Sequence, residues 1–371
     1  MSPVSPVSAV TAAHYPELAG YGLAGHTESP RDVVAEARLA EEIGLGSLFL
    51  SERFNVKDAG VMAGAVAGVT DRLGIATAAT NHVTRHPLVT ATLATTAHRM
   101  SEGRYALGLG RGFDVLFDLM GLPRITGAQM EDAIGIYRRL WRGEAVVGHE
   151  GPAGSYPYLN QDSSFDERIP VLMMAIGDRS LELAGRVADG VVLHTFLTDE
   201  ALARMVRVVR DSAERAGRDP GSVRVWSVLA TVEESIDEEA RLRKLVGRLA
   251  TYLQGYGAVL VRANGWDPEV FRRFREDPFV TGYGGAFDAI GTTEDLQQLA
   301  DRLLPAEWLA ASATGSAQQC AARIQDQLDA GADSVVLHGA TPTELRPVVE
   351  AWARQRSADL DALPANPGWM S

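Results

Sequence analysis

The chain has 371 residues, 46% hydrophobic and 22% charged, enough for a large core in one big domain or two ordinary ones. Its formal net charge of −13 repels phosphate backbones and anionic membrane surfaces, which argues against nucleic-acid and membrane partners. No apolar stretch reaches the roughly 20 residues that span a bilayer. Cys320 is the only cysteine, which excludes an intramolecular disulfide and suits a cytoplasmic location.

The first 17 residues, Pro- and Ser-rich, lack the basic start and apolar core of a secretory signal and read as a flexible leader. After them, short apolar runs alternate with amphipathic stretches. Eight strands are expected at Leu18–Ala24, Ser47–Ser51, Leu73–Thr80, Tyr105–Gly110, Val171–Ile176, Gly190–His194, Val223–Val232 and Ser334–His338. These runs are apolar on both faces, as strands of a buried parallel sheet must be. The first helix has a clear start signal, with Ser29 as N-cap, Pro30 at the first helical position and Asp32 three residues after the cap. Further helices are expected near 58–70, 87–101, 126–142, 179–187, 199–216, 236–262 and 316–330. Strict alternation of strand and helix predicts a closed (β/α)8 TIM barrel.

Two stretches leave the pattern. The aromatic-rich segment 264–315, between strands seven and eight, reads as an insertion packed over the barrel mouth, with a lid near Gly282–Gly285. The shorter excursion 151–170 follows a helix and is expected on the opposite face, in a structural or subunit-contact role.

One octapeptide pattern occurs twice, as ADGVVLHT at 188–195 and ADSVVLHG at 332–339. In a parallel barrel all strands end on one face, so His194 and His338 should look into a shared mouth. Each could instead cap its strand by bonding a neighbouring backbone group. Other strand ends add Glu52 and Arg53 in SER (51–53), and Asn81, His82, Arg85 and His86 in TNHVTRHP (80–87). In LGLGRGFD (107–114), Gly108, Gly110 and Gly112 allow a flat ligand to approach the backbone closely, although the spacing is not GxGxxG. In AIGDRSLELAG (175–185) a strand runs into Gly177 and a helix start at Asp178 and Arg179, a ready anion site or an ordinary turn capped by Asp178. Together a glycine-rich strand end and an anion-ready helix start suggest a flat, phosphate-bearing cofactor.

Five histidines fall at strand ends or in the loops after them (His26, His82, His86, His194, His338), so a metal site deserves weighing. Strand one carries no HxH, HExxH is absent, and acidic ligands near these histidines are few, so no metal is expected. GxSxG is also absent, which removes the usual serine nucleophile.

The order and spacing of SER, TAATNHVTRHP, GRYALGLGRG and AIGDRSLELAGRVADGVVLH resemble the bacterial luciferase-like superfamily, and more narrowly its branch that uses the deazaflavin coenzyme F420. The resemblance runs from about residue 18 to residue 352 and implies the same (β/α)8 barrel. It also implies that Ala79, Thr80 and Asn81 hug one face of the ring, often through a bulge. Gly110 and Arg111 would meet the ring and side chain of the cofactor, and Gly177, Asp178 and Arg179 would hold its phosphate. Several deazaflavin dehydrogenases end strand two in Ser-Asp-His, where this chain has Ser51-Glu52-Arg53, and a family glutamate after the strand-four glycines is replaced by Arg111. Sugar-phosphate dehydrogenase activity is therefore doubtful, and the proton must be handled by His194, His338, His82 or Glu52.

The expected function is an F420-dependent oxidoreductase that passes a hydride between the deazaflavin C5 and an unidentified small organic substrate. The alternatives are an FMN-dependent luciferase-like monooxygenase, a cofactor carrier without turnover, and a metallohydrolase. Arg53, Arg85 and Arg111 near the mouth favour F420, whose tail is polyanionic. The resemblance also implies a homodimer.

Overall fold

The computed structural model describes residues 13–24, 29–54 and 56–371. His26 lies outside them, as does the leader up to residue 12. Eight parallel strands close into a barrel: β1 (Tyr15–Tyr21), β2 (Leu45–Leu50), β3 (Gly74–Thr77), β4 (Tyr105–Leu109), β5 (Val171–Met174), β6 (Gly190–Val192), β7 (Arg224–Glu233) and β8 (Ser334–His338). Each pairs with its sequence neighbour, and β8 returns to β1 through Leu18 opposite Val335. The expected TIM barrel is therefore the fold.

The differences are local. β1 begins at Tyr15, so Tyr15–Glu17 belong to the barrel and not to a leader. Their backbone is fixed by the Tyr15 N–H donating to the Gly44 carbonyl at 2.8 Å. β3 stops at Thr77, three residues early: the Ala78–Ala79 peptide is cis, and the chain rejoins β4 only at the Thr80–Leu109 bridge. Ser29 caps a single 3-10 turn, and the α-helix proper runs Val33–Ile43, ending at Gly44 with φ 94°.

The barrel interior takes at least one side chain from every strand: Ala19, Phe49, Ala76, Ala106, Leu172, Val192, Trp226 with Val228, and Val336. Phe49 and Trp226 (ring centroids 5.0 Å apart) fill the space that the alanines opposite leave. Below Trp226 the fully buried Arg224 closes the amino-terminal end. It donates to Ser334 Oγ (3.0 Å) and to the carbonyls of Pro16 (2.6 Å), Pro364 (3.2 Å), Asn366 (3.1 Å) and Trp369 (3.2 Å).

The excursion before β5 is a hairpin, Val146–Gly151 with Gly154–Leu159, and it is not confined to the opposite face. It climbs along the helix Gly127–Trp141, where Asp132 accepts from the Ala153 N–H (2.9 Å) and pairs with His149 (3.0 Å). Tyr156 of the hairpin meets His86 of the loop after β3 edge-on, at 5.5 Å. The reason is length: strands of this size carry the chain back up one helix flank before β5 starts.

Between β7 and β8, helical chain runs from Glu238 to Asn264 with a π-helical turn at Arg243–Gly247 and a break at Tyr256 (φ −154°, ψ 30°). Residues 264–315 form short helices around a Trp266–Trp308 stack (4.4 Å) and a Tyr283–Phe287 stack (3.9 Å), and pack against that long helical element. Their strand Ala313–Gly315 pairs with the end of β7. Among the described residues no helix is long and apolar enough to cross a membrane.

Candidate active site at the carboxyl ends of the strands

The two octapeptide histidines emerge from β6 and β8 into one mouth. Both rings meet Tyr252, His194 at 4.7 Å and His338 at 6.4 Å between centroids. Tyr252 comes from the helix Arg248–Asn264, and so does Tyr256, whose hydroxyl bonds Nε2 of His194. Residues four apart share a helix face, so one element presents both phenols. Phe113, just past β4, stacks on Tyr256 at 5.3 Å, and Tyr21 at the end of β1 meets His338 edge-on at 5.2 Å. The surroundings of both imidazoles are therefore largely aromatic.

Its electrostatics follow. Burial pushes His194 down to about 4, so the ring is neutral at pH 7. Its Nδ1 lies 3.0 Å from the Thr195 carbonyl, which can only accept, so Nδ1 carries the proton and Nε2 accepts from Tyr256. The next residue, Phe196, sits at φ 59°, and Asn264 Nδ2 donates to its carbonyl at 2.9 Å. That turn fixes the carbonyl that sets the tautomer. His338 is driven well below its ordinary value by burial first, then by the charges of Arg248, His194, Arg53 and Lys244. Its Nε2 is 3.4 Å from the Tyr252 hydroxyl, and its Nδ1 is buried without a partner.

The other expected proton groups are placed differently. Both oxygens of Glu52 are engaged: Arg85 donates at 2.5 and 3.0 Å, and the Thr80 hydroxyl donates as well. Arg85 also pairs with Asp58. Glu52 thus braces the loop after β3 against the end of β2. His82 is buried near Asp132, its Nε2 without a partner, and makes no ring contact with the twin histidines. His86 caps the helix Pro87–Met100 through Nδ1, which accepts from the Leu88 N–H at 3.3 Å. Among the described residues no three His, Cys, Asp or Glu side chains converge as a metal set would.

A smooth wall joins β3 to β4. The Thr80 N–H donates to the Gly108 carbonyl (3.0 Å), and the Gly110 N–H donates to the Thr80 carbonyl (2.9 Å). A Cβ on Gly108 would lie 1.7 Å from the Thr77 carbonyl oxygen, and one on Gly110 would lie 2.9 Å from the Ala79 Cβ. Only glycine permits this approach. Asn81 turns its side-chain oxygen onto the N–H groups of Val83 (3.0 Å) and Thr84 (2.9 Å), shaping the loop. Arg111 is exposed and gives its Nε to the Ile125 carbonyl at 2.8 Å.

After β5, Gly177 is the N-cap of helix Asp178–Val187, with no side chain closing that end. Asp178 is the first helical residue, not the cap, and its carboxylate pairs with Arg204 at 2.8 Å. Arg179 is exposed beside it. The Ser180 N–H already bonds the Gly177 carbonyl (2.9 Å), so the first N–H groups of this helix, at its positive end, are left to solvent or a ligand.

The site thus combines a closed parallel barrel, a wall at β3–β4 drawn close by Gly108 and Gly110, and a helix start after β5 that no side chain caps. The chain belongs to the luciferase-like monooxygenase family, whose sequence profile matches residues 10–334. It is 28% identical over 307 residues to the 5,10-methylenetetrahydromethanopterin reductase of Methanolobus tindarius, covering 81% of this chain and 87% of that one. It is 31% identical over 190 residues to the F420-dependent glucose-6-phosphate dehydrogenase of Beutenbergia cavernae, covering 47% of this chain and 55% of that one. In three dimensions it resembles the coenzyme F420-dependent tetrahydromethanopterin reductase of Methanopyrus kandleri, with TM-score 0.75, 19% identity, and 92% and 99% of the two chains covered.

Sequence reasoning missed Tyr252, Tyr256 and Phe113. The i, i+4 tyrosines of YLQGY lay inside an expected helix, and that spacing was the available signal.

Proposed function

We propose that the protein is an F420-dependent oxidoreductase acting on a small organic substrate. The observation that carries this reading is the wall at Ala79 and Gly110, kept flat by a missing Cβ, followed round the ring by the uncapped helix start at Gly177 after β5 and the neutral His194–Tyr256 pair after β6. The residues fit the cofactor. Ala79, Thr80 and Asn81 would support one face of its ring, Gly110 and Arg111 would border it, and Gly177, Asp178 and Arg179 would hold its phosphate. Bound F420 would supply the hydride donor or acceptor at C5. Relatives named for F420 chemistry support the choice.

The chain's own residues handle the proton. The Tyr256 oxygen can take a proton from substrate while its own moves to the lone pair on His194 Nε2, and the reverse transfer serves reduction. His338, kept neutral by burial and neighbouring cations, serves as a hydrogen-bonding group for substrate. Glu52 positions the β3 loop through Arg85 and Thr80.

A second copy of the chain would cover the outer face of helices Ala59–Ala67 and Pro87–Met100. There Val61, Val89 and Met100 are 66%, 53% and 51% exposed beside a groove of about 440 Å³.

The test is a fluorescence titration with F420 and with FMN. Tight F420 binding with weak FMN binding is expected. Tight FMN binding without F420 binding would move the protein to the flavin monooxygenases.

A further inference from the structure

The chain carries a net charge of −13, yet four cations gather on one side of the mouth. Arg53 and Lys57 come from the loop after β2, Lys244 and Arg248 from the helical element after β7. Lys57 is buried, and its ammonium donates to the carbonyls of Gly22 (3.0 Å) and Leu23 (3.3 Å) past β1. Lys244 donates to the Gly339 carbonyl past β8 (2.7 Å) and to Glu344 (3.0 Å). Arg248 pairs with Asp288 at 2.9 Å, its side chain only 13% exposed. The cluster is continuous, because Arg53 feels Arg248, Lys57 feels Arg53, and His338 feels Arg248, Arg53 and Lys244.

Among the described residues the carboxylates nearest these cations are Asp288, Glu344 and Glu36, with Asp32 beside Glu36. Two polar atoms here are also buried without partners: the Nε–H donor of Arg248, and Nδ1 of His338, which is a donor in the tautomer whose Nε2 accepts from the Tyr252 hydroxyl. A buried N–H left without an acceptor costs about 1–3 kcal/mol, so it marks a place where an acceptor from outside would be welcome.

Topology says whose acceptor that is. The cluster stands over β8, β1 and β2, and β5, which leads to the open helix at Gly177, lies four strands round the ring from β1. The flat wall at β3 and β4 lies on the arc between them. A cofactor lying on that wall with its phosphate at Gly177 points away from the cluster. We propose that Lys244 and Arg248, with Arg53 and His338, form a second anion site at the mouth, and that it receives an anionic oxygen group, phosphate or carboxylate, of the organic substrate. The proposal rests on the oxidoreductase reading above. Arg85 is not part of this site, because Glu52 and Asp58 already hold it.

The test is calorimetric titration of inorganic phosphate, and separately of acetate, into the F420-loaded protein. Wild type is expected to bind at least one of the two anions, and which one assigns the substrate's group. Binding should weaken at least tenfold in Lys244→Met and in Arg248→Met, and recover in Arg248→Lys, while F420 affinity stays unchanged in all three. Arg179→Ala should do the converse. The proposal is overturned if neither anion binds, if Lys244→Met binds as wild type does, or if F420 loading displaces the anion, which would assign the cluster to the cofactor's own polyanionic tail. If F420 itself fails to bind wild type, the oxidoreductase reading falls, and the same anion titration on the unloaded protein still decides the second site.

Discussion

The Tyr256 hydroxyl donates to Nε2 of His194, whose other nitrogen is committed to the Thr195 carbonyl at 3.0 Å. The pair comes from β6 and from a helix that begins 54 residues after His194, and it shares one hydrogen bond. With any substrate that reduces or oxidises bound F420, Tyr256→Phe is expected to lower kcat by about 10²–10⁴, the usual worth of a general acid or base, with F420 affinity intact. Nitrogen-15 NMR of His194 should show a bare Nε2 and a protonated Nδ1 from pH 8 to pH 5. A doubly protonated ring at pH 6 would remove the proposed proton path.

Acid stability follows from the two mouth histidines. Burial lowers His194 to about 4 and His338 well below 6.5, so each takes up its proton in the unfolded chain first. Stability from them is present above about pH 6.5 and is lost as pH falls toward 4, by up to about 1.4 kcal/mol per pH unit for each ring. Denaturant melts across that window should show a slope that flattens in His194→Gln. An unchanged slope would mean the ring is solvated.

The flat wall is testable by a single side chain. Gly110→Val places a Cβ 2.9 Å from the Ala79 Cβ and two further methyls into the space before it. F420 binding should fall at least tenfold with little change in circular dichroism. Arg179→Ala should weaken F420 about tenfold, near the 1.4 kcal/mol expected of one exposed charge-assisted contact. Equal affinity in both variants would put the cofactor elsewhere.

The base of the barrel depends on Arg224. Arg224→Met strands several buried carbonyl groups and should cost about 3 kcal/mol, read as a lower urea midpoint. A midpoint within error of wild type would show that those carbonyls find other donors.

A second copy on the outer helices predicts a charge-sensitive interface. Val61→Glu should convert the dimer to monomer in sedimentation equilibrium without loss of helix content. A wild-type monomer would end that proposal.

The barrel was legible in the sequence because buried parallel strands are apolar on both faces, and runs such as GVVL and SVVLH admit few other readings. Strand ends were legible too: Gly110, Gly177 and both octapeptide histidines stand where alternation put them. Pairing was not. Nothing local in SER says that Glu52 will be held by Arg85, 33 residues on, and nothing in a long amphipathic helix says that Tyr252 and Tyr256 face inward over the strand ends. The hairpin was misplaced for the same reason, since chain order gives the end at which a loop starts but not how far it climbs back.

Three of the four backbone acceptors of the Arg224 guanidinium lie 140 to 145 residues after it, and the fourth, the Pro16 carbonyl, lies near the start of the described chain. During synthesis β7 therefore emerges long before the segment that makes its charge tolerable in the interior. Until residues 364–369 dock, an otherwise ring-shaped sheet keeps a hydrated ion at its floor, and water has a route to Trp226. Closure of the floor thus requires that Pro16 and residues 364–369, from opposite ends of the described chain, both reach this one arginine.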